Sequence, residues 1–289
     1  MSLILLSVLF LVLSYATLSL IFSYLVMQFP RRGIVDPPDW GKVTDTRIPT
    51  VGGGSLEVWR IEPEGDSRGC VVLAHGWGRN RDRMIKRARF FASLGFTTVV
   101  HSARDHGGSS RFRFMNALRF AEDVEAVLDW VAEPVLLYGH SAGSAGSILA
   151  ANRRPESVRL LFLEASYADT EEALHSLYSW LNPVFGFLFA PAILFLFKNL
   201  YRYPLKDLSP ARLAPGIDIP VMIIHGELDR RFPLAFAHKL RAAFKPGQTE
   251  FFVAPGSGHS DCSLTEGYTD AVQGFLRRRF EAVRVGVQD

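Results

Sequence analysis

From residue 56 onward the chain alternates between two kinds of segment. Short runs of apolar and β-branched residues fall at 56–61, 70–74, 97–100, 135–138, 160–163, 221–224 and 250–253. Between them lie longer stretches whose apolar positions recur with helical spacing, at 82–94, 115–131, 142–152, 234–244 and 265–283. Near-continuous apolar strands alternating with amphipathic helices predict an α/β fold: a mostly parallel, doubly wound sheet covered on both faces. In such sheets ligands gather at the carboxyl ends of the strands.

Two regions depart from this rhythm. Residues 3–29 carry no charge and are rich in Leu, Ile, Val and Phe. As a helix at ~1.5 Å per residue this run reaches roughly 40 Å, against a hydrocarbon core of ~30 Å. It is read as a transmembrane anchor, residues 1–29, and not as a cleaved signal. No Lys or Arg precedes it, it is too long for a signal core, and no A-x-A site follows. Arg31, Arg32, Lys42 and Arg47 follow the span, which places the remaining chain on the cytoplasmic side. Residues 30–54, with Pro30, Pro37, Pro38, Pro49 and the Gly52–Gly54 run, read as a linker. Residues 55–284 then form the α/β domain. The second departure is an insertion at about 167–216. Its middle, 180–203, carries Phe185, Phe187, Phe189, Phe195 and Phe197 and is expected to form one or two helices broken at Pro183 and Pro191. It reads as a helical cap, or as a lid over an acyl pocket with Phe187 and Phe195 in its lining, or as a patch dipping into a bilayer.

With 48% apolar and 21% charged residues among 289, the composition is that of a folded chain with an added apolar segment. A net charge of +3 argues against nucleic-acid binding as the main task. Cys70 and Cys262 sit in no metal-ligand spacing and read as buried thiols, so no metal and no disulfide framework is expected.

The chemistry centres on Gly139-His140-Ser141-Ala142-Gly143. It lies between a strand and a small-residue helix, the context of a strained turn that presents a nucleophilic serine. A serine hydroxyl needs a base. Of the eight histidines, His259 occupies a Gly-rich turn after the last strand. His75 and His225 end strands and read as backbone partners, and His140 points elsewhere. The base needs an acid: Asp229, after the strand at 221–224, is preferred over Glu227 and Asp261. Backbone N–H groups of Ala142 and of Trp77, in His75-Gly76-Trp77-Gly78, are the expected oxyanion donors.

On these motifs residues from about 56 to 280 resemble the α/β-hydrolase superfamily, in its lipase, esterase and S33-peptidase-like branch. The run 103–110 is similar to the family's R-G-H-G-x-S loop, with Asp105 where glycine is usual and His101 where aspartate is common. The resemblance implies the α/β-hydrolase fold with a helical cap and a triad of Ser141, Asp229 and His259. It also implies a two-step hydrolysis of esters or thioesters, with acyl or lipid substrates and no cofactor. The alternatives are a serine peptidase or amidase of the same fold, and a non-catalytic membrane binding module. Basic runs at 79–89 and 277–279 read as solvated faces, or as contacts for anionic headgroups.

Overall fold

The computed structural model describes residues 2–28, 31–33 and 36–281. Phe29 and Pro30 of the expected anchor and linker, and the last predicted helical residues 282–283, lie outside the described residues. In chain order the strands are β1 (Lys42–Thr50), β2 (Gly54–Glu62), β3 (Cys70–Ala74), β4 (Thr97–His101), β5 (Val135–His140), β6 (Val158–Glu164), β7 (Val221–Gly226) and β8 (Thr249–Ala254). They form one sheet in the order β1-β2-β4-β3-β5-β6-β7-β8. The β1–β2 and β2–β4 pairs are antiparallel and the rest parallel.

Both sheet faces are covered, which is why these strands read as unbroken apolar runs. In β3, Val71 and Leu73 join Leu136 and Tyr138 in one core. Val72 faces the other way, with Val135 and Leu137. Helices α2 (Ile85–Ser93) and α9 (Tyr268–Leu276) cover the first face through Ala88, Phe91, Val272 and Phe275. Helices α3 (Ala117–Val131), α4 (Ala142–Arg153) and α8 (Leu234–Ala243) cover the second through Val124, Val127, Ile148 and Leu240.

β1 corrects the expectation of a linker. It pairs with β2 along its whole length at the sheet edge. Only Ile48 is buried in it, at 2% exposure, so no apolar run announces it. Pro49 fits because an edge strand tolerates a missing N–H. Asp105 has φ +61°, so it takes the left-handed backbone that the family usually gives to glycine, and Arg31 lies 3.8 Å from its carboxylate.

The cap comprises α5 (Thr170–Leu181), α6 (Pro183–Asn199) and α7 (Pro210–Leu213). Pro183 starts α6 as expected of a first-turn proline. Pro191, by contrast, does not break it. It sits on the exposed face, while Gly186, Ala190, Ile193 and Phe197 bury the other.

The N-terminal helix α1 (Leu3–Leu25) is long and apolar enough to cross a membrane. It does not stand apart from the rest. Tyr15 donates to the Leu188 carbonyl at 2.7 Å, and the Phe22 ring meets those of Phe185 and Phe189 at 5.2 and 4.8 Å. The Ser23 and Tyr201 hydroxyls share a hydrogen bond of 3.2 Å. Just past α1, Met27 is only 3% exposed, packed with Tyr178, Ile193 and Phe197. The expected anchor is therefore docked on the cap.

Candidate active site

Ser141 follows β5 and precedes α4 with φ +56° and ψ −120°, a strained backbone for a residue with a side chain. Close packing on either side imposes this turn. A Cβ on Gly139 would stand 2.5 Å from Ser144 Cα, and one on Gly143 would stand 2.4 Å from the carbonyl oxygens of Ala74 and His75. The Ser141 N–H donates to the Glu164 carbonyl at 2.9 Å, and Ser144 donates to the Ser141 carbonyl from both N–H and hydroxyl. The serine side chain is left at the carboxyl end of the sheet.

His259 stands between Ser141 and Asp229. Its Nε2 is 2.9 Å from Ser141 Oγ and its Nδ1 is 2.7 Å from Asp229 Oδ2. The other Asp229 oxygen accepts from the N–H groups of Arg231 and Phe232 at 2.9 and 3.0 Å. Burial pushes the Asp229 carboxyl up, but the hydrogen bond and charge of His259 and the Phe232 N–H outweigh it, so Asp229 is held below the ordinary carboxylate value. Glu227, the sequence competitor, is exposed and accepts from the Gly256 N–H instead, and Asp261 is exposed in its own turn. The structure thus brings together Ser141, His259 and Asp229, from loops after β5, β8 and β7.

Trp77 and Ala142 line the same cavity as Ser141 and His259. The loop that carries Trp77 is held by two histidines. His75 Nδ1 bonds the Gly76 carbonyl at 2.7 Å while its Nε2 accepts from the Ala103 N–H at 2.9 Å. His106 accepts from the Gly78 N–H at 3.0 Å and donates from Nδ1 to the Arg104 carbonyl at 2.8 Å. Burial lowers the pKa of both, which keeps them neutral and able to accept at one nitrogen. His225 bonds the Phe232 carbonyl at 2.7 Å, the backbone role expected of it.

His140 does point away from the cavity, but not idly: its Nε2 lies 3.0 Å from the His259 carbonyl. Nothing in its local sequence signals that pairing. Among the described residues no group of His, Cys, Asp and Glu is arranged to hold a metal ion.

The cavity has a volume of about 500 Å³. Ser141 and His259 are reached from it. Leu174, Leu177, Tyr178 and Phe197 of the cap line it, and so do Leu25 at the end of α1 and Val26 and Met27 just past it. Phe187 and Phe195, expected in such a lining, are instead 79% and 64% exposed on the outer face of α6. The expectation fails because the buried face of this helix is set by residues 186, 190, 193 and 197.

Residues 65–206 match the family described as serine aminopeptidase, S33. The chain is 24% identical to the monoacylglycerol lipase of Mycolicibacterium smegmatis over 239 residues, covering 70% of this chain and 84% of the lipase. It is 20% identical to an uncharacterised membrane protein of Saccharomyces cerevisiae, YNL320W, covering 76% of this chain and 75% of that protein. The structure of the Pyrococcus furiosus esterase Pf2001 superposes with a TM-score of 0.70 at 16% identity, over 87% of this chain and 99% of the esterase. Fold and comparisons agree: this chain has the α/β-hydrolase fold, and it is similar to esterases and lipases that share it.

Proposed function

We propose that the protein is a membrane-anchored serine hydrolase that cleaves carboxylic esters or thioesters of fatty-acyl groups. The observation that carries this reading is the hydrogen-bonded line from Ser141 Oγ through His259 to Asp229 at the wall of a largely apolar cavity. His259 takes the proton of Ser141 as Oγ attacks the acyl carbonyl. Asp229 holds the imidazole in the tautomer with Nδ1 protonated and stabilises its charged form. The N–H groups of Ala142 and Trp77 hold the oxyanion. The leaving group departs with the proton from His259, and water then cleaves the acyl-enzyme with His259 again as base.

The cavity's lining by Leu177, Phe197 and Met27 suits an acyl chain, in keeping with the lipase relative. Helix α1 is the anchor: nearly all its apolar side chains face outward, and so do Val184, Phe187 and Phe195 of α6 beside it. Such an outward apolar surface belongs in lipid. Arg31 and Arg32, a few residues after α1, favour the cytoplasmic side for the hydrolase domain, which begins at β1 and carries its cap between β6 and β7.

A fluorophosphonate probe and p-nitrophenyl laurate test the reading on the full chain in neutral detergent. Wild type is expected to be labelled and to hydrolyse the ester, and Ser141→Ala to lose both while keeping its melting temperature. Unlabelled wild type, or a Ser141→Ala variant with wild-type turnover, overturns it.

A further inference from the structure

The basic run at 79–89 is not one surface. Arg81 binds Asp45 at 2.8 Å and lies 3.7 Å from Glu57. Arg87 pairs with buried Glu164, Arg89 with Asp39, and Arg83 donates to the Ser260 carbonyl. Arg79 alone among these arginines lines the cavity that holds Ser141, and Arg231 and Arg32 line the same cavity. Among the described residues none of the three has a carboxylate within 4.0 Å. Arg231 lies over the Trp180 ring at 4.1 Å, which directs its guanidinium without neutralising it.

Like charges gathered at a partly desolvated wall repel one another. Burial and the charge of Arg32 both lower the pKa of Arg79. That of Arg231 is lowered by burial and by Arg79, against a contrary pull from Asp229. An unpaired cluster of this kind becomes favourable when an anion enters it, because guanidinium groups bind phosphate and carboxylate oxygens through charge-assisted hydrogen bonds. Its placement matters as well. Arg79 follows the candidate oxyanion donor Trp77 by two residues, and Arg231 follows Asp229 by two. The same cavity offers an apolar wall at Leu25, Met27, Leu177 and Phe197. It is therefore amphipathic, and Ser141 shares its wall with both parts.

We propose that Arg79 and Arg231, with Arg32, bind an anionic oxygen group carried by the alcohol portion of the acyl substrate, so that the preferred substrates are acyl esters with a negatively charged head. This rests on the ester-hydrolase reading above and narrows its substrate class. The reaction leaves the charged head unchanged. The Ser141 Oγ–acyl bond forms, the acyl C–O bond breaks, and the serine proton passes through His259 to the departing alkoxide. Water then supplies the oxygen of the fatty acid, and its proton returns through His259 to Ser141.

Three esters with one acyl chain test the proposal on the full chain in a neutral detergent: 1-lauroylglycerol, 1-lauroylglycerol 3-phosphate and the lauroyl ester of glycolic acid. The kcat/KM ratio of the phosphate-bearing to the neutral ester is expected to be about tenfold or more in wild type. Arg79→Gln and Arg231→Gln are each expected to bring it down several-fold, and Arg79→Lys to retain most of it. Turnover of the glycolate ester at the level of the phosphate ester identifies the site as one for any anionic oxygen group. Turnover at the neutral level restricts it to phosphate, and both outcomes keep the cluster as its cause. In wild type alone, dodecyl phosphate should inhibit p-nitrophenyl laurate hydrolysis at lower concentration than dodecanol does. A wild-type ratio near one, or a ratio unmoved in both glutamine variants, overturns the proposal. Failure of the underlying reading looks different, since none of the esters, p-nitrophenyl laurate included, is then hydrolysed.

Discussion

His140 Nε2 donates to the backbone carbonyl of His259 across 3.0 Å, tying the residue before Ser141 to the loop that carries His259. Burial drives the His140 pKa down to about 3, so the ring is neutral at working pH and a single N–H makes the bond. The two imidazole rings also meet edge to face, with centroids 5.4 Å apart. On the proposed mechanism His140 positions His259 without touching the reacting atoms. His140→Ala is expected to lower kcat for p-nitrophenyl esters by about ten- to a hundredfold, with KM little changed, because small misplacement of a base is costly. His140→Gln, which retains a donor, should recover part of the loss. Equal KM and kcat losses in both variants would show a general structural role.

The two carboxylates after β7 should differ sharply. Asp229→Asn leaves His259 with the wrong tautomer and is expected to lower kcat by about 10⁴, as in the serine-protease triad. Glu227→Gln removes only an exposed bond to the Gly256 N–H, and its kcat should stay within about twofold. Steady-state kinetics on one short ester ranks them.

Beneath the site, Arg87 and Glu164 form a buried pair, with Tyr138 donating to Glu164 at 2.5 Å. Burial raises the Glu164 carboxyl, but Arg87 outweighs it and holds the pKa at about 2 against an ordinary 4.5. A depressed carboxylate stabilises the fold above its unfolded pKa. That contribution is lost as pH falls from about 4.5 toward 2. Arg87→Met leaves the carboxylate buried and unpaired, and should cost about 3–5 kcal/mol near neutral pH. The deficit in melting temperature should narrow as pH falls and Glu164 in the variant takes up a proton. Adding Glu164→Leu should restore part of the stability. Thermal melts across pH 4–8 check both.

Chain-length selection should follow the cavity wall and not the most apolar face of the cap. Leu177→Gln is expected to reduce kcat/KM for a lauroyl ester about tenfold relative to a butyryl ester, roughly the transfer energy of two buried methylenes. Phe187→Gln and Phe195→Gln, on the outward face, should leave that ratio within about twofold in detergent and weaken binding to lipid vesicles instead. A shift of the laurate-to-butyrate ratio in the outward-face variants would put α6 in the wrong orientation.

Much of this was legible in the residue pattern. The doubly covered strands are continuous apolar runs because each residue meets a helix on one face or the other, as Val71 and Val72 do. The Gly139–Gly143 motif, Asp229 and His259 each follow such a run, so their chain order and strand ends place them near one another. β1 left no comparable mark, since an edge strand with one buried residue carries no periodicity. Pro191 looked like a break because composition does not reveal which side of a helix faces solvent.

What the sequence by itself determined is the chemistry available at the ends of the strands: a serine in a turn that needs glycine two residues to either side, a histidine and an acid in the right order. The tertiary structure decided which partners those and other side chains meet. It docks α1 on the cap so that Met27 walls the cavity, and separates Arg79 from Arg81 and Arg87, its neighbours in one basic run. It also turns His140 onto the His259 carbonyl. The physical reason is one of range. Local periodicity records whether a position is buried, because burial repeats with the helix or strand. Charge pairing, cavity lining and hydrogen-bond partners depend here on residues 36 to 173 positions away, and only the packed fold brings them within reach.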